Sequence, residues 1–191
     1  MAEVATRKMT VEEFFAWQAE QDHNYELVDG VPVMTVKAMT GASDTHDTVT
    51  VNAIGTLFAQ LRGKPCRPKT ADTSVRTFRG TRRPDITIEC GKPGPRDMEA
   101  ADPRVVIEVL SPSTMRSDRF EKVAEYHKHP KIRVILLINT ELPSVTVYRR
   151  AGERWDVEIV EGLEAVIDLP EIEATLPLSE LYLGIEFAAK G

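Results

Sequence analysis

Apolar and polar positions recur with two different periods along this chain, and the changes of period divide it into elements. In "MTVEEFFAWQAEQ", Thr10 and Glu13 stand at capping-box spacing ahead of Val11, Phe14, Phe15 and Trp17. That pattern predicts an amphipathic helix over about 10–21. "YELVDGVPVMTV" places Asp29-Gly30 between two apolar runs, which predicts a β-hairpin. In "SDTHDTVTVNAIGTLFAQLRG", Val49, Ala53, Ile54, Leu57, Phe58 and Leu61 recur at helical spacing, and Gly63 follows as a C-terminal glycine. The period then shortens to two, and "DTSVRTF", "PDITIEC" and "RVVIEVL" read as strands. "SDRFEKVAEYHKHP" returns to helix, with Ser117 or Asp118 as cap and Pro130 as stop. "RVILLIN" is almost continuously apolar and predicts a strand buried on both faces. "SVTVYRR" and "RWDVEIVE" close as a meander, and "LPEIEATLPLSELY" forms an acidic tail with a final short helix.

This order predicts one mixed α/β domain over 1–191, with a sheet flanked by helices. Residues 1–40 would hold the N-terminal helix and hairpin, 41–150 the core, and 151–191 the meander and tail. The core sheet is expected to run through "DTSV", "PDITI", "VVIEV" and "VILLI".

Composition changes this picture little: 42% hydrophobic and 28% charged residues supply an ordinary globular core. No run approaches the roughly 18 apolar residues of a membrane span, and "MAEVATRKMT" lacks a signal-peptide apolar segment. The expectation is a cytoplasmic protein with no membrane partner. Cys66 and Cys90 are too few for a disulfide framework and are expected to be reduced and structural. Charge is more informative. The chain carries −6 overall, yet Arg62 to Arg83 holds eight basic residues against Asp72, leaving that window at +7 and the remainder at −13. Such a window is either a phosphate-facing patch or a solvated loop.

The candidate chemistry sits in two strands. Alternation puts Ile86, Ile88 and Cys90 on one face of "PDITIEC" and Asp85, Thr87 and Glu89 on the other. In "VVIEVL", Glu108 shares a face with Val106 and Leu110. A carboxylate inside an apolar run is costly unless a buried base, a proton or a metal ion compensates it. Two carboxylates on adjacent strands suit a hard divalent cation; an internal ion pair is the alternative for Glu108. On the next helix, Asp118, Lys122 and Tyr126 fall on one stripe. Either the stripe is solvated, or Lys122 projects toward Glu108 while Phe120, Val123 and Ala124 anchor the helix. No histidine–carboxylate pattern accompanies a serine that could act as nucleophile.

"YELVDG", "SDTHDTVTVNAIGTLFAQL", "RRPDITI", "VVIEVLSPSTMRSDRFEKVAEY" and "VILLINTELPSVTVYRR" together resemble the Uma-two family, restriction-endonuclease-like proteins of the PD-(D/E)XK nuclease superfamily. The likeness runs over roughly 9 to 187, nearly the whole chain. It implies a restriction-endonuclease-like fold and a Mg²⁺- or Mn²⁺-dependent endonuclease acting on DNA. By motif, Asp85 resembles the PD aspartate and Glu108 the second metal-binding acid. The superfamily's lysine stands two residues beyond that acid, where this chain has Leu110; the resemblance moves its role to Lys122. Glu26 matches a family acid near the metal, or is an ordinary hairpin carboxylate. His46 matches a family histidine able to contact phosphate or water, or is a capping residue. Tyr126 would buttress Lys122, Ser111 and Thr114 would shape the loop after Glu108, and Arg82 and Arg83 would contact phosphates. Cutting both strands of a duplex would favour a homodimer. Two readings from other classes stand beside the enzyme: a non-catalytic nucleic-acid-binding module, and a structural homodimer with a vestigial pocket.

Overall fold

The computed structural model describes residues 8–35, 43–92, 94, 97–110 and 116–187, with the side chains of 116–119 left aside. Helix α1 (Val11–Gln18) begins at Thr10 with the expected capping box and is shorter than the pattern suggested. Strands β1 (Tyr25–Val28) and β2 (Val31–Met34) form the hairpin. Its turn needs positive φ at Asp29 (50°) and Gly30 (85°), which explains the Asp-Gly pair. Helix α2 (Asp44–Leu61) is capped by the Ser43 side chain, and Gly63 follows at φ 80°.

A six-stranded sheet forms the centre. It is built from β3 (Arg67–Thr70), β6 (Ile86–Glu89), β7 (Pro103–Leu110), β8 (Val134–Asn139), β9 (Ser144–Ala151) and β10 (Arg154–Glu161). The spatial order is β10-β9-β8-β7-β6-β3. Among its neighbours β7 and β8 are parallel, joined by helix α3 (Arg116–Lys128); the others are antiparallel. A smaller sheet, β2-β1-β5-β4, adds β4 (Val75–Thr77) and β5 (Gly80–Arg82) to the hairpin. Gly80 is required there, because a Cβ would stand 2.2 Å from the Leu27 carbonyl oxygen.

Helix α2 covers one face of the central sheet with Val49, Ala53, Leu57 and Leu61 against Ile86, Ile88, Val105, Ile107 and Val109. The hairpin β11 (Val166–Leu169) and β12 (Ala174–Pro177), with the short helix α4 (Leu178–Leu181), extends this core. Gln60 and Asn52 of α2 bind that extension through Thr175 and through the carbonyls of Leu181 and Leu183. Helix α3 covers the opposite face with Val123 and Tyr126 over Val106, Ile135 and Leu137.

Two expectations need correction. "DTSV" is not in the central sheet: β4 belongs to the small sheet, and β3 occupies the edge beside β6. β3 and β5 are too short and too polar to announce themselves by period, and β11 and β12 are too short. Cys66 and Cys90 are joined as a disulfide. The pairing of Arg67 with Glu89 sets the two cysteines opposite each other across β3 and β6, and the polar sequence of β3 gives no sign of that pairing. β9 and β10 pair as the expected closing meander, and both lie in the central sheet.

Candidate active site

The register of β6 and β7 assembles the first pair of groups. Ile86 lies opposite Ile107, so one step further Asp85 faces Glu108, and opposed residues share a face. Alternation separates the groups as foreseen: the isoleucines enter the α2 core, and Glu108 turns toward α3. Asp85 is buried; its Oδ2 accepts from the Val109 amide at 2.6 Å. His46 Nε2 lies 3.3 Å from the same oxygen. His46 stands in the first turn of α2, where its own amide donates to Ser43 Oγ at 3.3 Å and its Nδ1 lies 3.5 Å from Thr50 Oγ1. The helix start thus aims an imidazole at Asp85.

Helix α3 supplies the second pair. Tyr126 is fully buried, and its hydroxyl donates to Glu108 Oε1 at 2.7 Å. One turn earlier, Lys122 Nζ lies 3.1 Å from Glu26 Oε1. Tyr126 was expected to buttress Lys122; its hydrogen bond goes to Glu108 instead. The stripe containing Lys122 and Tyr126 faces the interior, not solvent; the side chain of Asp118 lies outside the described residues. Phe120 and Ala124 do not anchor the helix, since both are exposed; Val123 and Tyr126 do. Ser111 and Thr114, expected to shape the loop after Glu108, lie outside the described residues.

Beneath Lys122 is a buried charge network. Glu26 accepts from Arg82 Nη1 at 3.0 Å, from the Arg83 amide at 2.9 Å and from Lys122. Arg82 turns its remaining edge to Glu125, with Nε at 3.0 Å and Nη2 at 2.6 Å. Glu125, only 1% exposed, also accepts from Thr77 Oγ1 at 2.7 Å. Arg83 donates to the carbonyls of Tyr25, Ala71 and Asp72. Arg82 and Arg83 are 3% and 4% exposed, so neither lies on the surface where phosphate contacts were expected. Glu125 was not foreseen. Its position three residues after Lys122, on the same helical face, was the available signal.

Four other basic residues of the window are paired with acids in space. Lys64 meets Glu173, Arg67 meets Glu89, Arg76 meets Glu12 and Glu99, and Arg79 meets Asp29 and Glu121. Each of those acids comes from outside the window, so a +7 stretch of sequence is not a +7 surface.

The carboxylates differ in their electrostatics. Burial opposes ionisation of Glu26, but Lys122 and Arg82 outweigh it and hold its carboxyl below the usual range. Burial pushes Glu108 up to about 7; Lys122 counters this and the neighbouring Asp85 charge adds to it. Burial and the Glu108 charge also push the Tyr126 hydroxyl well above its ordinary value. Among the described residues, the positive charge near Glu108 does not offset its burial. That deficit and the all-oxygen donors suit a hard divalent cation, which typically takes one or two carboxylates and keeps water elsewhere. Among the described residues no cluster of three or more His, Cys, Asp or Glu side chains is arranged for a metal; the residues that could hold one are Asp85 and Glu108. Glu26, already surrounded by donors, suits an ammonium partner better than a metal. Among the described residues no helix is long and apolar enough to cross a membrane.

Comparison with known proteins gives consistent results. A family model named Uma2 and described as "Putative restriction endonuclease" matches residues 11–179. The chain is 27% identical over 188 residues to the uncharacterized protein slr1290 of Synechocystis sp., covering 94% of each chain. It is 25% identical over 175 residues to sll1609 of the same organism, covering 88% of this chain and 97% of that one. Its fold is similar to the crystal structure of a protein from Anabaena variabilis titled a putative nuclease belonging to DUF820. The TM-score is 0.71 at 18% identity, over 91% of this chain and 97% of the other.

Proposed function

This chain belongs to the Uma2 family, and from that premise we propose that it is a metal-dependent nuclease hydrolysing phosphodiester bonds in DNA. The observation that carries the reading is the pairing of Asp85 with Glu108 beside Lys122. Burial, with a smaller contribution from the opposed Asp85 carboxylate, raises the Glu108 pKa to about 7. Asp85 and Glu108 would hold Mg²⁺ or Mn²⁺, which supplies Lewis-acid polarisation of a phosphate oxygen and a more acidic bound water.

The chain's own groups do the rest. The Val109 amide and His46 orient Asp85. Tyr126 orients Glu108 from the helix side. The Lys122 ammonium, kept cationic by Glu26, orients a water or meets the negative charge that develops on phosphorus-bound oxygens. It thereby takes over the task for which Leu110 has no charge. Cleavage of both strands of a duplex calls for two such sites related by a twofold axis, so the proposed working form is a homodimer.

The test is nicking of supercoiled plasmid with Mg²⁺ or Mn²⁺ and with chelator, alongside calorimetry with Mn²⁺. Wild type should cleave with metal alone, and Asp85→Asn should lose both cleavage and Mn²⁺ binding. Wild type that leaves DNA and RNA intact with either ion would overturn the nuclease reading. A second reading, a non-catalytic nucleic-acid-binding module, is favoured by Leu110 at the superfamily's lysine position. It predicts retention of DNA without cleavage.

A further inference from the structure

Arg82 closes a ring of side chains that begins and ends on α3. From the helix, Glu125 grips the guanidinium through Nε and Nη2. The same guanidinium donates from Nη1 to Glu26 Oε2, and Glu26 Oε1 meets Lys122 Nζ, back on the helix one turn before. The Arg83 amide fixes Glu26 Oε1 from a third side. A two-pronged fork permits one orientation of the guanidinium plane, and a carboxylate held at both oxygens cannot turn. A lysine has four rotatable bonds and loses side-chain entropy when held. A rigid acceptor decides where that ammonium rests. Both ends of the ring lie on one helical face, so rotating α3 or sliding it by a turn would break the ring at Glu125 and Lys122 together.

We propose that Arg82, braced by Glu125, is a positioning residue that acts through Glu26 to fix the Lys122 ammonium beside the Asp85–Glu108 pair. Its catalytic consequence rests on the nuclease reading; the positioning itself does not. A simple staple between sheet and helix would hold the fold without singling out Lys122, and the two roles separate experimentally.

The experiment follows the lysine ammonium groups of the ¹⁵N-labelled full chain by ¹H–¹⁵N correlation, with Lys122 assigned by its loss in Lys122→Ala. Wild type should show a resolved Lys122 signal. Arg82→Gln should move it to the position of solvated lysines or abolish it, while backbone amides of the α2 core stay in place. In plasmid nicking, Arg82→Gln should lower kcat about tenfold or more with Mn²⁺ affinity within about twofold. Placed on Lys122→Ala, it should cause no further loss, as expected for two residues acting as one unit. Should Arg82→Gln fail to fold, Glu125→Gln carries the same comparison, because it weakens the grip on Arg82 without stranding a buried cation. An unmoved Lys122 signal, or losses that multiply in the double variant, overturns the proposal. If wild type cleaves nothing, the nuclease reading fails, and the ammonium spectrum still decides whether Arg82 positions Lys122.

Discussion

The two faces of strands β6 and β7 are built from alternate residues of the same few turns of chain, yet they are held to their helices by different forces. On the α2 side, Val49, Ala53, Leu57 and Leu61 meet isoleucine and valine, all at 3% exposure or less. Burial there stabilises without directional demands. On the α3 side, two apolar anchors are supplemented by Tyr126–Glu108 from β7 and, from the neighbouring small sheet, by Glu125–Arg82, Glu26–Lys122 and Arg79–Glu121. These contacts contribute little net stability, the buried ones because their charges are desolvated and Arg79–Glu121 because it is solvent-exposed; the buried ones restrict the arrangement. The apolar face holds the molecule together, and the charged face decides where an ammonium and two carboxylates stand.

The sharpest way to break this contrast is to truncate one group on each face. Leu57→Ala opens a cavity in the α2 core and should cost about 2–5 kcal/mol of stability, read by chemical denaturation. Mn²⁺ binding at temperatures where the variant is folded should be unchanged. Lys122→Ala should do the reverse. Cleavage should fall about a hundredfold, roughly 2.7 kcal/mol of transition-state stabilisation, with Mn²⁺ affinity retained. Lys128→Ala is the control on the same helix, since Lys128 sits over the exposed Phe78 ring, 4.1 Å from its centroid. A large loss of stability in Lys122→Ala with unchanged cleavage would erase the distinction between the faces.

The next test uses pH. Glu108 has its carboxyl raised to about 7 from an ordinary 4.5. In the metal-free protein its contribution is therefore fully present below about pH 4.5 and is lost as pH rises through 7, where a buried anion must be carried. Glu108→Gln mimics the protonated form, so its stability relative to wild type should rise between pH 4.5 and 7 and then level off. Glu26 has the opposite sign: its depressed carboxyl stabilises above its unfolded value near 4.5, and that contribution disappears as pH falls through the folded one. A flat wild-type-minus-Glu108→Gln difference across pH 4–8 would remove the charge deficit from the argument. The smallest effect belongs to Arg76→Ala. Arg76 lies in the same basic window as Arg82, but its pairs with Glu12 and Glu99 are exposed. Exposed pairs contribute at most about 1 kcal/mol. A cost near that of a core truncation would show that the two arginines are not so different after all.

Much of this was legible along the chain. Periodicity located the three long helices and most strands of the central sheet, because a half-buried element must repeat its apolar residues at its own pitch. The same alternation put Asp85 and Glu108 on the face away from the isoleucines. Asp-Gly, the Thr10–Glu13 box and Gly63 announced a turn and two helix ends through local backbone chemistry. What the chain could not convey was pairing at a distance. β3 and β5 acquire strand geometry by lying beside β6 and β1, so neither shows the pattern alone. The cysteines meet only because β3 pairs with β6 in that register. The basic window looked like a surface patch because charge was counted along the sequence, whereas its partners arrive from Glu12, Asp29, Glu99, Glu121 and Glu173. Arg82 and Arg83 carry the same side chain as any surface arginine. Only the tertiary fold, by surrounding them with carboxylates and carbonyls that repay desolvation, placed them inside.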